Sequence, residues 1–181
     1  PDVSADRVAF GPVNRYKSRL LNRAFGVFRS EAPTDQRAAF RAFCADRADW
    51  LDDFALFMAL KEDHRLRSWM TWERELAARE PHALARAREA LADEIESHKY
   101  RQWQFFEQWL ALKRYANDRG VKIIGDIPIF VALDSADVWA NNGLFRFDEE
   151  LQPTVVSGVP PDYFSETGQL WGHPLYRWDV M

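Results

Sequence analysis

Cysteine is nearly absent from this 181-residue chain, where Cys44 stands alone. One thiol can close no disulfide and build no cysteine zinc site, so the fold must be held by its core. Nothing in the sequence exploits an oxidising compartment, which makes a reducing, cytoplasmic setting the simpler expectation. Cys44 follows Phe40 and Phe43 in an apolar pattern and is expected to be a small buried hydrophobe. Long apolar runs are missing too. None approaches the roughly 20 residues that a spanning helix needs, so no membrane role is expected. Pro1-Asp2-Val3-Ser4-Ala5-Asp6 has no basic stretch leading into an apolar core and does not read as a signal peptide. It also lacks an initiator methionine, as expected of a chain that begins within a longer protein. An excess of one charge is absent: 24 Lys and Arg interleave with 28 Asp and Glu. No basic stripe forms, which argues against a nucleic-acid partner. There is no glycine-rich phosphate loop followed by lysine. His64, His82, His98 and His173 are scattered without metal-ligand spacing, so neither a metal nor a cofactor is expected. Ser157-Gly158 and Ser165 lack the glycine spacing of a nucleophile elbow.

What remains is globular: 47% hydrophobic and 29% charged residues suit a packed domain rather than a disordered tail. Aromatics are plentiful, with 13 Phe, 8 Trp and 5 Tyr. Such rings fill a large core, and exposed ones suit the C–H faces of sugars; composition is compatible with both.

Val13, Tyr16, Leu20, Leu21, Ala24, Phe25 and Phe28 recur at spacings of three and four, predicting an amphipathic helix over 13–29. Thr34 suits the cap of a second helix reaching about Arg47, and Asp49 the cap of a third over Trp50–Lys61. Residues 62–68 read as a charged loop. Pro81 suits the first turn of a long helix running to Arg119, broken near Ser97, with Gly120 as its stop. Then the texture changes. Residues 121–128 form a β-branched run ended by Pro128, predicting a buried strand with Asp126 at its carboxyl end. In α/β folds chemistry collects at that end, although an aspartate there also suits a turn cap. Residues 134–140 read as a helical turn capped by Asp134 or Ser135, and 145–147 as a short strand. Residues 158–176 carry glycine, proline and aromatics without helical or strand period, which suits a functional loop.

Two stretches carry a specific resemblance. Gly125-Asp126-Ile127-Pro128-Ile129-Phe130-Val131-Ala132, continuing through Asp134-Ser135-Ala136-Asp137-Val138-Trp139-Ala140-Asn141, is the first. Gly158-Val159-Pro160-Pro161-Asp162-Tyr163-Phe164-Ser165, with Gly168-Gln169, Trp171-Gly172 and Pro174-Leu175-Tyr176, is the second. Both resemble the amylomaltase family, the 4-α-glucanotransferases of glycoside hydrolase family 77 in the α-amylase clan. The resemblance continues upstream through Gln108-Trp109 and Tyr115-Ala116-Asn117, and more weakly through 49–61. Residues 1–45 match only in helical character. It implies an α/β fold, a segment of a (β/α)₈ TIM barrel with a mostly helical insertion. Residues 1–80 would form the helical insertion, and 81–181 part of the catalytic barrel with 121–127 as its third strand. It implies no catalytic residue here, since the nucleophile and acid/base come from later strands. It implies substrate contacts from Asp126, Asp162, Tyr163, Phe164, Gln169, Trp171 and His173, the last standing where the family more often has asparagine; Asp162 also reads as a turn residue. The expected function is transfer of α-1,4-glucan segments by retaining double displacement. The substrates would be α-1,4-glucans and maltooligosaccharides, with glucose as an acceptor. The alternatives are a helical protein-interaction domain and a hydrolase of the same clan.

Overall fold

The structure, a computed structural model, describes residues 6–181; the leader question at residues 1–5 lies outside it. Seven helices come first in the chain and a two-stranded hairpin follows. They are α1 (Phe10–Glu31), α2 (Thr34–Asp46), α3 (Ala48–Asp63), α4 (Arg74–Ala77), α5 (Pro81–Ala90), α6 (Ala92–Asn117) and α7 (Ala136–Ala140), then β1 (Val156–Val159) and β2 (Gln169–Pro174). Among the described residues no helix is long and apolar enough to cross a membrane.

The predicted helices form, with corrected ends. α1 starts three residues early, because Pro12 falls in the first turn, where its missing N–H is not needed. Thr34 does not cap α2; it is the first helical residue, and Pro33 holds the extended N-cap geometry without a side-chain bond. Asp49 likewise lies inside the first turn of α3, placed for the helix dipole rather than the cap. The long helix breaks at Leu91, not near Ser97: Leu91 leaves helical geometry (φ −111°, ψ 26°) and its side chain packs on the core, while Ser97 is buried inside α6. Gly120 ends the run in the left-handed conformation, φ +73°. That geometry suits glycine.

Two aromatic clusters hold the helices together. The larger joins Leu56, Phe57 and Leu60 of α3 to Trp69, Trp72, Leu84, Val138, Trp139 and Phe145. Trp69 and Trp139 are fully buried and their indole N–H groups are satisfied, donating to Leu133 O (2.8 Å) and Leu76 O (3.0 Å). The smaller cluster packs Phe25, Phe28 and Phe40 against Tyr100 and Trp103. Cys44 flanks it half-buried rather than fully buried, and burial pushes its thiol pKa up, towards the unreactive form. Each fully buried large side chain contributes about 1.5–3 kcal/mol, so these rings dominate the stability of the helical part.

The expected strand over 121–127 makes no ladder among the described residues. The segment is extended and exposed, with Ile124 94% and Ile127 88% accessible. A parallel strand takes its hydrogen bonds from flanking strands, and no described segment runs beside this one. Residues 145–147 form isolated bridges, Phe145 with Tyr176 and Phe147 with Pro153, instead of a strand. Conversely, the stretch expected to be irregular holds the one sheet of the described residues, β1 antiparallel to β2.

Candidate functional site

The Asp126 segment is held at both ends. Upstream, Val121 N–H donates to Ala116 O across the Gly120 turn. Downstream, Ser135 caps α7 by accepting from Val138 N–H. Asp134 is not the cap. Its Oδ2 takes the Lys61 ammonium at 2.6 Å, and its Oδ1 accepts from Trp69 N–H at 3.3 Å. Lys61 also donates to Leu66 O and Arg67 O, closing a turn in which Arg65 and Leu66 both have positive φ. Between these anchors Asp126 stands exposed and makes no hydrogen bond or ion pair among the described residues.

The hairpin supplies the other expected contacts. At its tip Asp162 Oδ1 accepts from Phe164 N–H (2.9 Å) and Ser165 N–H (3.0 Å), and Ser165 Oγ donates to Gly168 O (2.7 Å). One oxygen of Asp162 is therefore committed to the turn. Gly168 has φ +76°, and a Cβ there would meet Val159 O at 2.6 Å. The result is a tip fastened through its backbone, with its two rings left free: Tyr163 and Phe164 are 103% and 91% accessible. A protein that exposes large rings on an ordered turn has left them available to a partner surface.

Further down, β2 carries a bulge. Val156 pairs with Pro174 and Gly158 with Leu170, so residues 171–173 are extra on the β2 side, and Gly172 takes φ +76° within them. The bulge gathers Gln169, Trp171 and His173. Trp171 Nε1–H donates to Gln169 Oε1 (2.9 Å), and the Trp171 ring meets His173 edge-on, 6.4 Å between centroids. His173 stacks on Phe130 at 6.0 Å and bonds Ser157 Oγ through Nδ1 at 3.1 Å. The hairpin base is fastened to the core through Phe145, whose ring lies 5.0 Å from Tyr176, and through Arg146 N–H to Leu175 O.

The structure thus brings Gln169, Trp171 and His173 together and puts Tyr163 and Phe164 side by side at the tip. Asp126 reaches this group only through Phe130, four residues on. Phe130, Ser157 and Tyr176 were given no role by sequence reasoning; Phe130 and Tyr176 lay inside the recognised motifs, but only their stacking partners reveal their use. Among the described residues no group of acids, histidines or cysteines could hold a metal ion. A cleft of about 430 Å³ lined by Phe40, Cys44, Leu56, Ile95 and Lys99 lies among the helices and takes no wall from the site. Chemically, the arrangement offers a carboxylate, a carboxamide, an imidazole and several rings. Those groups bind hydroxyls and apolar C–H faces.

Comparison with known proteins points the same way. The sequence model of glycoside hydrolase family 77, described as 4-alpha-glucanotransferase, matches residues 2–181. The chain is 52% identical over 181 residues to a 4-alpha-glucanotransferase of Thermus thermophilus, covering all of this chain and 36% of that protein. It is 44% identical over 182 residues to one of Synechocystis, with the same coverage. A chloroplastic/amyloplastic 4-alpha-glucanotransferase of Solanum tuberosum is 39% identical over 99% of the chain and 31% of that protein. The solved amylomaltase of Streptococcus agalactiae in complex with acarbose superposes with a TM-score of 0.89 at 39% identity, over 95% of this chain and 34% of that one. The chain therefore spans about a third of the length of the relatives it matches.

Proposed function

The chain belongs to the 4-alpha-glucanotransferase family, glycoside hydrolase family 77, and from that premise we propose that it supplies glucan contacts to a whole protein that transfers α-1,4-glucan segments. Acceptors are the 4-hydroxyl of another glucan, a maltooligosaccharide or glucose. Residues 1–80 serve as a helical insertion and 81–181 as part of a (β/α)₈ barrel. The exposed apolar run around Ile124 and Ile127 supports this, because a barrel strand is covered on both faces by the rest of its domain. A cytoplasmic setting follows from the same reading, and the free thiol of Cys44 suits it.

The observation that carries the proposal is the hairpin. Two rings stand free on a hydrogen-bonded tip, and Gln169, Trp171 and His173 cluster below them beside the segment that bears Asp126. The amylomaltase of known structure was solved with acarbose, and the same groups here suit a sugar: Asp126 and Gln169 its hydroxyls, Tyr163, Phe164 and Trp171 its faces. Asp162 serves by building the tip. Retaining transfer needs two carboxylates, one attacking the anomeric carbon and one protonating the leaving oxygen, then deprotonating the incoming hydroxyl. Both come from outside this chain. The rings act between the two displacements, when water competes with the acceptor, by excluding it from the glycosyl-enzyme.

Full-length protein incubated with maltotriose tests this. Longer maltooligosaccharides together with glucose are expected. Shorter sugars alone would make it a hydrolase, and unchanged maltotriose would leave only an interaction domain. Tyr163→Ala and Phe164→Ala are expected to hold stability within about 0.5 kcal/mol, since both rings are solvated, while raising the hydrolysed fraction.

A further inference from the structure

We infer that His173 is a positioning residue that latches the aromatic hairpin to the Asp126–Phe130 segment, and so sets where Trp171 and Gln169 stand relative to Asp126; this rests on the glucan-transfer reading above. The argument begins with the bulge. Residues 171–173 have no ladder partners on β1, so the N–H of His173 must find another acceptor. It donates to Ser157 Oγ at 3.2 Å, and Ser157 is buried. With that lone pair occupied, the Ser157 hydroxyl has its proton free to donate to His173 Nδ1, 3.1 Å away. The pair is reciprocal: Ser157 takes the backbone proton and returns its own to the ring. This selects the Nε2–H tautomer and fixes the imidazole plane.

The fixed plane is then used on both sides. Phe130 lies nearly parallel to it, 14° between rings at 6.0 Å, and Phe130 in turn stacks on Tyr176 at 6.2 Å. Trp171 meets the same imidazole edge-on at 77°. Trp171 Nε1–H is meanwhile spent on Gln169. His173 is therefore the one side chain in contact with β1, with the Asp126 segment and with the Trp171–Gln169 pair. The Asp126 segment needs such a contact, because residues 121–129 are exposed throughout. Asparagine at this position would keep a polar bond to Ser157 but offers no ring to Phe130. The imidazole adds the second half of the latch.

The test uses the full-length protein with His173→Ala, His173→Asn, His173→Phe and Phe130→Leu. Hydrogen exchange, followed peptide by peptide, reads the latch itself. His173→Ala is expected to speed exchange both in the hairpin and in peptides spanning 126–132. His173→Phe, which keeps the stack, is expected to spare 126–132, and His173→Asn is expected not to. Acceleration confined to the hairpin would overturn the inference. With maltotriose, His173→Ala is expected to raise KM by about tenfold and to increase the hydrolysed fraction, with kcat changed much less. Combined with Phe130→Leu it should add little, because both changes break one contact. Additive effects, or an unchanged KM, would overturn the latch. If the unaltered protein makes no transfer products, the glucan-transfer reading fails, and hydrogen exchange still decides whether His173 couples the two segments.

Discussion

The Lys61 ammonium sits 2.6 Å from Asp134 Oδ2, across 73 residues of sequence, and the same nitrogen donates to Leu66 O and Arg67 O. This buried cation ties the end of α3 to the segment that carries Asp126. Lys61→Met removes three hydrogen bonds and leaves the Asp134 carboxylate without its counter-charge. A loss of about 2–3 kcal/mol is expected by denaturant unfolding, because removing one partner of a buried pair costs more than the pair contributes. Asp134→Asn, which keeps an acceptor for Trp69 N–H, should cost less. Equal losses in the two variants would contradict the assignment of Lys61 as the anchor.

His98 gives a pH signature. It is buried on α6, and burial pushes its pKa down; the neighbouring Arg101 charge adds to this, against an opposing pull from Glu62. The folded protein therefore keeps His98 neutral where the unfolded chain takes up a proton. This contribution is complete above the unfolded value of about 6.5 and is lost as pH falls from there towards the lower folded value. Denaturation midpoints measured between pH 7.5 and 5 should fall in the native sequence and fall less in His98→Gln. Parallel curves would place the sensitivity elsewhere.

Gly168→Ala should disorder the hairpin tip. The position combines φ +76° with a backbone oxygen 2.6 Å from any added Cβ, and strain of this kind costs about 1–3 kcal/mol locally. Limited proteolysis is expected to cut within 160–168 faster in the variant, with the melting temperature of the helical part little changed. Unaltered cleavage would show that the tip tolerates a side chain there.

Ile124, Ile127 and Ile129 are 94%, 88% and 76% accessible. Prepared alone, the 181-residue chain is expected to associate through this run, and Ile124→Ser with Ile127→Ser should reduce that association in sedimentation. In the full-length protein the same pair should instead destabilise by several kcal/mol, as burial of two isoleucines at about 1.5–3 kcal/mol each requires. A monomeric isolated chain, or a silent double substitution in the longer protein, would contradict the barrel placement of this run.

The helices were legible because their evidence is local. Phe25 and Phe28, or Leu56 and Leu60, declare a buried face by spacing alone, and Pro81 and Gly120 mark ends by backbone chemistry. The break at Leu91 was misplaced because a helix end without Gly, Pro or a side-chain cap leaves no local mark. The hairpin was illegible for a related reason. Its alternation is interrupted by the bulge at 171–173, so strand period never runs long enough to be seen. Asp134 looked like a cap because caps are local; its true partner, Lys61, is a long-range fact. The expected site residues were found through the motif resemblance. The roles of Phe130 and Ser157 appear only once the bulge has turned His173 between them.

α6 has a mechanical consequence. Its first half is buried at Ser97, His98, Tyr100 and Trp103, while Phe105, Leu112 and Tyr115 on its second half are exposed. Its 26 residues make a rod of about 39 Å, clamped at one end and free along the other. Such a rod is a lever: a tilt of about 3° at the clamped end sweeps the Gly120 end by about 2 Å. Repacking of Phe28 or Phe40, far from any sugar, would therefore be felt as a displacement of the chain leading into Asp126.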